Sequence, residues 1–256
     1  KLIMKVICFI DSFNSGGAQK QMVMLANGLS EENEVKTLQY HDLNFFSKKI
    51  NSKITRKVIL SNNKFVRTYK IVRFLAAENP DAIIAFLHGP SNYSAIYKML
   101  YFWRRCVLVC GERNFDVNKL GLKQLLIRFS HLFANKIVCN SKVQLERLKP
   151  YFKKKLVFIT NGVVFNDSIT KEFGRNEEVI RLIVPARFTD QKNPLNLLKA
   201  LNELSNVKID WYGQVYKDSQ VYSQCNDFLN KHNLDGKFSF NPPESSQIHD
   251  FKIMNI

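Results

Sequence analysis

The sequence predicts an α/β protein of two doubly wound units, each built on a parallel sheet, joined by one linker. Short β-branched runs alternate with amphipathic stretches, the rhythm breaks once over a polar segment containing Gly162, Asn166 and Gly174, and it then restarts. Parallel strands need long crossovers, and helical crossovers cover both faces of the sheet. The first unit is expected over 1–162, the linker over 163–178 and the second unit over 179–256.

In chain order, residues 6–10 read as a buried strand. Gly16 and Gly17 turn the chain into a helix over 18–29, where Met22, Leu25, Ala26 and Leu29 recur at helical spacing. Residues 35–38 and 57–60 read as strands, 65–77 as a helix closed by Pro80, and 82–86 and 107–110 as apolar strands. A helix follows over 119–133 and a strand over 136–139. Ser141, with Gln144 three residues on, has the form of a capping box opening a further helix, and 157–159 is the last strand of this half. Beyond the linker, 182–184, 208–212 and 238–240 read as strands. Asn193 caps a helix that begins at Pro194 and runs to Leu204, Pro being suited to a first position that needs no N–H. A last helix covers 219–229. Three strands leave the second unit incomplete where the chain stops at Ile256.

Of the 256 residues, 45% are hydrophobic and 23% charged, which fits a folded domain rather than a disordered chain. The five cysteines (Cys8, Cys106, Cys110, Cys139 and Cys225) are odd in number and lie mostly in strand-like runs, so they read as buried thiols in a reducing compartment. No second Cys or His pair accompanies Cys106 and Cys110, and no metal site is expected. The apolar run after Lys5 is too short for a signal peptide and no stretch has the length of a membrane span, so the expected location is cytoplasmic. The net charge of +16 is uneven: residues 1–155 hold 27 Lys+Arg against 10 Asp+Glu, and residues 156–256 hold 11 against 12. Such a balance suits an anionic membrane face, a pyrophosphate-bearing substrate or a nucleic acid, or else is a solvated surface. The interfacial aromatics and cations of 97–105, and Lys123 and Arg128 among Leu and Phe in 120–133, favour the inner face of a membrane, with the protein peripheral to it. Base-reading motifs are missing, and no nucleic-acid partner is expected.

Ligands of open α/β sheets bind outside the carboxyl ends of the strands. Four strand-to-helix turns therefore carry the candidates. Gly16 and Gly17 allow close backbone approach beside unpaired N–H groups, without forming a P-loop or a dinucleotide fingerprint. His88 stands beside a glycine turn, where it could meet a sugar hydroxyl or a phosphate, or be an ordinary structural histidine. Glu112, Arg113 and Asn114 crowd one strand end; Arg113 serves an acidic substrate or pairs with Glu112 or Asp116. Arg187 and Lys192 lie just before a capped helix, and a guanidinium and an ammonium beside a helix N-terminus suit a pyrophosphate.

Four segments in this order resemble glycosyltransferase family 4: Gly16-Gly17-Ala18-Gln19 with Leu25-Ala26-Asn27-Gly28-Leu29, Ile137 through Lys142, Ile159-Thr160-Asn161-Gly162-Val163, and Arg187 through Pro194. The resemblance covers nearly the whole chain. It implies a GT-B fold and a retaining hexosyltransferase-type enzyme. A nucleoside-diphosphate sugar would be donor substrate and a saccharide or polyprenyl-linked glycan of cell-surface polysaccharide synthesis the acceptor. No metal and no cofactor would be required. The glycine loop, Arg187 and Lys192 would meet the donor phosphates, with Asn161 and Gly213 as further cleft candidates; no catalytic residue is assigned beyond the candidate His88. The family's pair of glutamates separated by seven residues is missing, and the aspartate pairs of that spacing, Asp210 with Asp218 and Asp227 with Asp235, lie in the wrong context. The implied reading is thus a family member truncated at its C-terminus, with weak or no transfer by these residues alone. The rivals are an inactive nucleotide-sugar-binding or regulatory homologue, a nucleic-acid-binding protein, and another GT-B chemistry such as epimerisation of a nucleotide sugar.

Overall fold

The computed structural model describes residues 3–113, 129–163 and 179–241. The chain divides into two compact units, Lys1–Val164 and Phe165–Ile256. The division falls inside the expected linker, of which 164–178 lie outside the described residues.

The first unit contains β1 (Lys5–Phe9), α1 (Gly17–Leu29), β2 (Glu34–Gln39), β3 (Thr55–Val58), α2 (Lys64–Glu78), β4 (Ala82–Phe86), α3 (His88–Leu100), β5 (Val107–Glu112), β6 (Lys136–Cys139), α4 (Lys142–Phe152) and β7 (Leu156–Phe158). Its seven strands pair in parallel in the order β3-β2-β1-β4-β5-β6-β7. Because successive side chains of a strand point to opposite faces, β1 divides cleanly. Ile7 and Phe9 join Leu38, Ile83, Ala85, Leu108 and Ile137 in one core. Val6, Cys8 and Ile10 join Val35 and Phe86 in the other. Met22, Val23 and Ala26 of α1 close the second core, whereas Ile71, Val72 and Leu75 of α2, Tyr97 of α3 and Phe152 of α4 close the first. Both faces are therefore buried, and each fully buried apolar side chain contributes about 1.5–3 kcal/mol relative to exposure. All five thiols are free and buried, and burial alone pushes that of Cys8 up to about 12.

The second unit contains β8 (Ile180–Pro185), a 3-10 turn (Asp190–Lys192), α5 (Pro194–Asn202), β9 (Val207–Tyr212), α6 (Gln220–Lys231) and β10 (Phe238–Asn241), its strands parallel in the order β10-β9-β8. Two right-handed crossovers running the same way put both helices on one face. There Leu198 and Leu201 of α5 and Val221, Cys225 and Leu229 of α6 pack on Ile209, Trp211 and Phe238. The other face carries a polar row in which Arg181 and Ser239 both donate to the carboxylate of Asp210. Among the described residues this unit has helices on one face only, rather than the expected two.

Several local expectations are corrected. The third strand is 55–58, two residues earlier than expected, and Leu60 stands exposed past its end. Ser141 does accept a hydrogen bond from the Gln144 N–H, but Gln144 Oε1 is buried without a partner, so only half of the capping box forms. Asn193 makes no side-chain cap; it is a left-handed residue (φ 52°) that swings the chain from the 3-10 turn into α5. Of the segment 97–105, Tyr97 is buried, Tyr101 stacks on it, and Arg104 donates to the Ala76 carbonyl, so only part of the expected interfacial face projects. The helix expected over 119–133 lies outside the described residues except for 129–133, which are helical.

Glu78, at the end of α2, accepts from Lys36 of β2 at 2.8 Å and from Lys5 of β1 at 2.7 Å. Burial pushes its carboxyl up, but the two ammonium groups outweigh this and hold it below the usual glutamate range. A carboxylate depressed in the folded state stabilises above its unfolded pKa, and that stability is lost as pH falls through the folded value. Glu78→Gln should therefore be less stable than the parent at neutral pH. The difference should close in acid, as followed by urea denaturation across pH.

Candidate functional site

The strand order of the first unit reverses between β1 and β4, and such a switch point opens a crevice at the strands' carboxyl ends. Two of the candidates flank it: Gly16 and Gly17 lie at the start of α1, and His88 is the first residue of α3. His88 therefore opens a helix, and Gly89 sits within that helix's first turn rather than forming a turn of its own. The preceding Leu87 has φ 73° and ψ 163°, a region almost reserved for glycine that costs on the order of 1–3 kcal/mol. Its N–H donates to the Gly111 carbonyl of β5, which helps hold it there.

Glu112 ends β5, buried. Its Oε1 lies 2.9 Å from Nε2 of the fully buried His131 and 3.9 Å from Nδ1 of His88. Arg113 points the other way. Its guanidinium lies 4.1 Å from the centroid of the Phe86 ring and donates to Asn161 Oδ1 at 2.5 Å, and burial pulls its pKa down. Of the two pairings offered as its alternative role, that with Glu112 does not form, and Arg113 meets Asn161 instead; Asn114 and Asp116 lie outside the described residues. Asn161 also receives Asn140 Nδ2 at 3.4 Å. One residue on, Gly162 is clasped by Gln21 of α1, which donates to its carbonyl at 2.7 Å and accepts its N–H at 2.9 Å. Glu112, Arg113, Asn161, His88 and the start of α1 thus share one edge of the sheet. Among the described residues no glycine has a positive φ. At Gly17 a Cβ would meet nothing within 4 Å, so no neighbouring atom requires glycine there.

In the second unit the same logic operates with different residues. A Cβ at Gly213 would lie 1.9 Å from the Ala186 carbonyl oxygen. That oxygen accepts Trp211 Nε1 at 2.6 Å, and the Ala186 N–H donates to the Tyr212 carbonyl. Gly213 is therefore the residue that lets the strand ends of β8 and β9 close on each other. Arg187 follows directly and is exposed; Lys192 is exposed at the end of the 3-10 turn, two residues before Pro194 opens α5. Neither forms an ion pair among the described residues. Gly213, Gln214, Lys217, Tyr222 and Asn241 help line an open cleft of about 650 Å³ at the ends of β9 and β10, and Phe188, next to Arg187, donates its N–H to the Gln214 carbonyl. The aspartates of family-like spacing are otherwise engaged in part, since Asp210 is held by Arg181 and Ser239. Among the described residues no group of three or more His, Cys, Asp or Glu side chains is placed to hold a metal.

His131, Gln21, Leu87 and Lys217 were not singled out in sequence. His131 lay within a stretch legible only as a helix, 19 residues from its partner, and no local pattern marks Leu87 as strained.

No family model matches the chain. It is 26% identical over 235 residues to the Campylobacter jejuni GalNAc-alpha-(1->4)-GalNAc-alpha-(1->3)-diNAcBac-PP-undecaprenol alpha-1,4-N-acetyl-D-galactosaminyltransferase, covering 86% of this chain and 63% of that protein. The chain thus spans less than two thirds of this relative's length. Among solved structures it is similar to Anabaena Alr3699/HepE in complex with UDP and glucose (TM-score 0.76, 16% identity, 94% of this chain and 70% of that one). A glycosyltransferase from Rickettsia africae ESF-5 gives 0.72, 17%, 98% and 71%. The lipopolysaccharide outer core galactosyltransferase WaaB, apo form, gives 0.68, 14%, 98% and 71%. At such identities the structures speak for the fold, which is the expected α/β class of GT-B type.

Gly213→Ala should cost about 1–3 kcal/mol, because the new methyl meets backbone that has no room to yield. Gly17→Ala, whose methyl meets open space, should leave stability unchanged. Urea denaturation followed by tryptophan fluorescence compares the two.

Proposed function

We propose that the chain belongs to a retaining glycosyltransferase that moves a hexose from a nucleoside-diphosphate sugar to a saccharide or polyprenyl-linked acceptor in cell-surface polysaccharide synthesis. The observation that carries this reading is the turn after β8. Two exposed cations without carboxylate partners among the described residues, Arg187 and Lys192, precede the N-terminus of α5, and Gly213 keeps the backbone close-packed beside them. Departure of a nucleoside diphosphate builds negative charge on its phosphate oxygens, and fixed cations and N–H groups stabilise that charge in the transition state. The open cleft lined by Gly213, Tyr222 and Asn241 gives the nucleoside room at the ends of β9 and β10, where Phe188 of this turn is bonded to Gln214. In the first unit, Gly16 and Gly17 present α1's free N–H groups at the switch point, and His88, held near the Glu112 carboxylate, contacts the reacting sugar. The relative's lipid-linked acceptor and the UDP bound by the Anabaena structure agree with these assignments. Anionic membrane is the proposed working surface of the basic first half, and the location is cytoplasmic and peripheral.

The test is thermal stabilisation of the chain by UDP, GDP and ADP and their sugar conjugates. One nucleotide family should raise the melting temperature. Arg187→Ala and Lys192→Ala should each weaken its binding about tenfold or more, the worth of a hydrogen bond to a charged group. Stabilisation by no nucleotide, or by one equally in the variants, would contradict the assignment. Binding without sugar transfer by the full-length protein would favour the inactive binding homologue. Gly17→Ala should keep the fold yet lower transfer.

A further inference from the structure

An open trough of about 530 Å³ runs between β3 and α2, with Lys57, Leu60, Tyr69, Lys70, Arg73 and Phe74 on its walls. Helix α2 buries Ile71, Val72 and Leu75 against the sheet, so positions 66, 69, 70 and 73 share the opposite, outward side. That side is not simply polar. On it Tyr69 is 61% exposed and Val66 43%, beside Lys70 and Arg73; next to it Phe65 at the start of α2 is 86% exposed and Leu60, past the end of β3, 55%. Over residues 53–78 there are seven Lys and Arg against a single carboxylate, Glu78. Lys5 and Lys36 already neutralise that carboxylate at the far end of the helix. Two cations are set along aromatic rings: Arg73 lies 5.7 Å from the Tyr69 ring and donates to its hydroxyl, and Lys57 lies 5.9 Å from the Phe74 ring.

We infer that the α2–β3 face is where this protein docks on an anionic lipid bilayer. The inference deepens the proposed membrane partner by giving it a place in the fold. A bilayer surface offers hydrocarbon just beneath a layer of phosphates. A helix with apolar groups flanked by Lys and Arg, lying in that plane, satisfies both at once. Nucleic acid would reward the cations and the rings but not the aliphatic Leu60 and Val66, which have no π-face for a base to stack on. The aromatics at 102–103, also exposed, form the rival patch; there Arg104 is turned inward to the Ala76 carbonyl and the Tyr101 ring, which leaves fewer free cations beside them.

The experiment is co-sedimentation of the full chain with phosphatidylcholine vesicles, with and without phosphatidylglycerol, at low and physiological salt. Binding should require the anionic lipid and weaken with salt. The double change Lys70→Glu with Arg73→Glu should lower vesicle affinity at least about tenfold. Phe65→Ser should lower it severalfold, while Lys199→Glu with Lys231→Glu, the same charge change on the second unit, should leave it near the parent. All variants should keep the parent's melting temperature and nucleotide stabilisation, which separates failure of docking from failure of the glycosyltransferase reading. The inference is overturned by binding that survives both α2 variants, that falls equally in the second-unit control, or that is lost only in Phe102→Ser with Trp103→Ser. Binding to single-stranded RNA with none to vesicles would overturn it too.

Discussion

Parallel pairing of β1 with β2 on one side and β4 on the other governs the first unit. It sets Phe9 opposite Leu38 and Ala85, buries both faces of the central strand, and sends the chain away from the same edge of the sheet after every strand. The loops after β1, β4, β5 and β7 are therefore neighbours although their residues are far apart in sequence. Gln21 can clasp Gly162 and Arg113 can reach Asn161 only because the strands they follow run the same way. The strained Leu87 is held within this frame by the Gly111 carbonyl, and it places His88 at the head of α3.

In the second unit the same constraint acts through a tighter contact. The Trp211 indole and the Tyr212 carbonyl both bind Ala186, and Gly213 lets that backbone come in to a distance no side chain would tolerate. The turn carrying Arg187 and Lys192 is thereby attached to a packed core of Phe188, Trp211 and Phe240 rather than to a loose loop. Site geometry here is a by-product of packing: the rings that stabilise the small sheet also fix where its cations begin.

What could be read from the sequence follows the range of the interactions involved. Strand 6–10 and the helix around Met22 and Ala26 were legible because hydrophobic period is local and both faces of the sheet are buried. Ser141 was legible as a cap because its partner is three residues away. The reciprocal bond from Gln144 was not, since its side chain is drawn into the core instead. His131 and Glu112 meet across 19 residues, which no periodicity reports. Tyr97 looked interfacial beside Lys98 and Trp103, yet helical geometry turns it into the core. On the outward side of α2 the reverse holds: Phe65 and Tyr69 belong to the apolar pattern of a helix, and only the fold shows that they are left outside.

The most direct test of the account is the amide spectrum of the isotope-labelled chain titrated with UDP. Shifts should concentrate on Arg187 to Lys192, on Leu195 and Asn196 at the start of α5, and on Gly213 and Gln214. Saturating shifts confined to other residues, such as those lining the trough between β3 and α2, would contradict the placement of the donor diphosphate on the second unit.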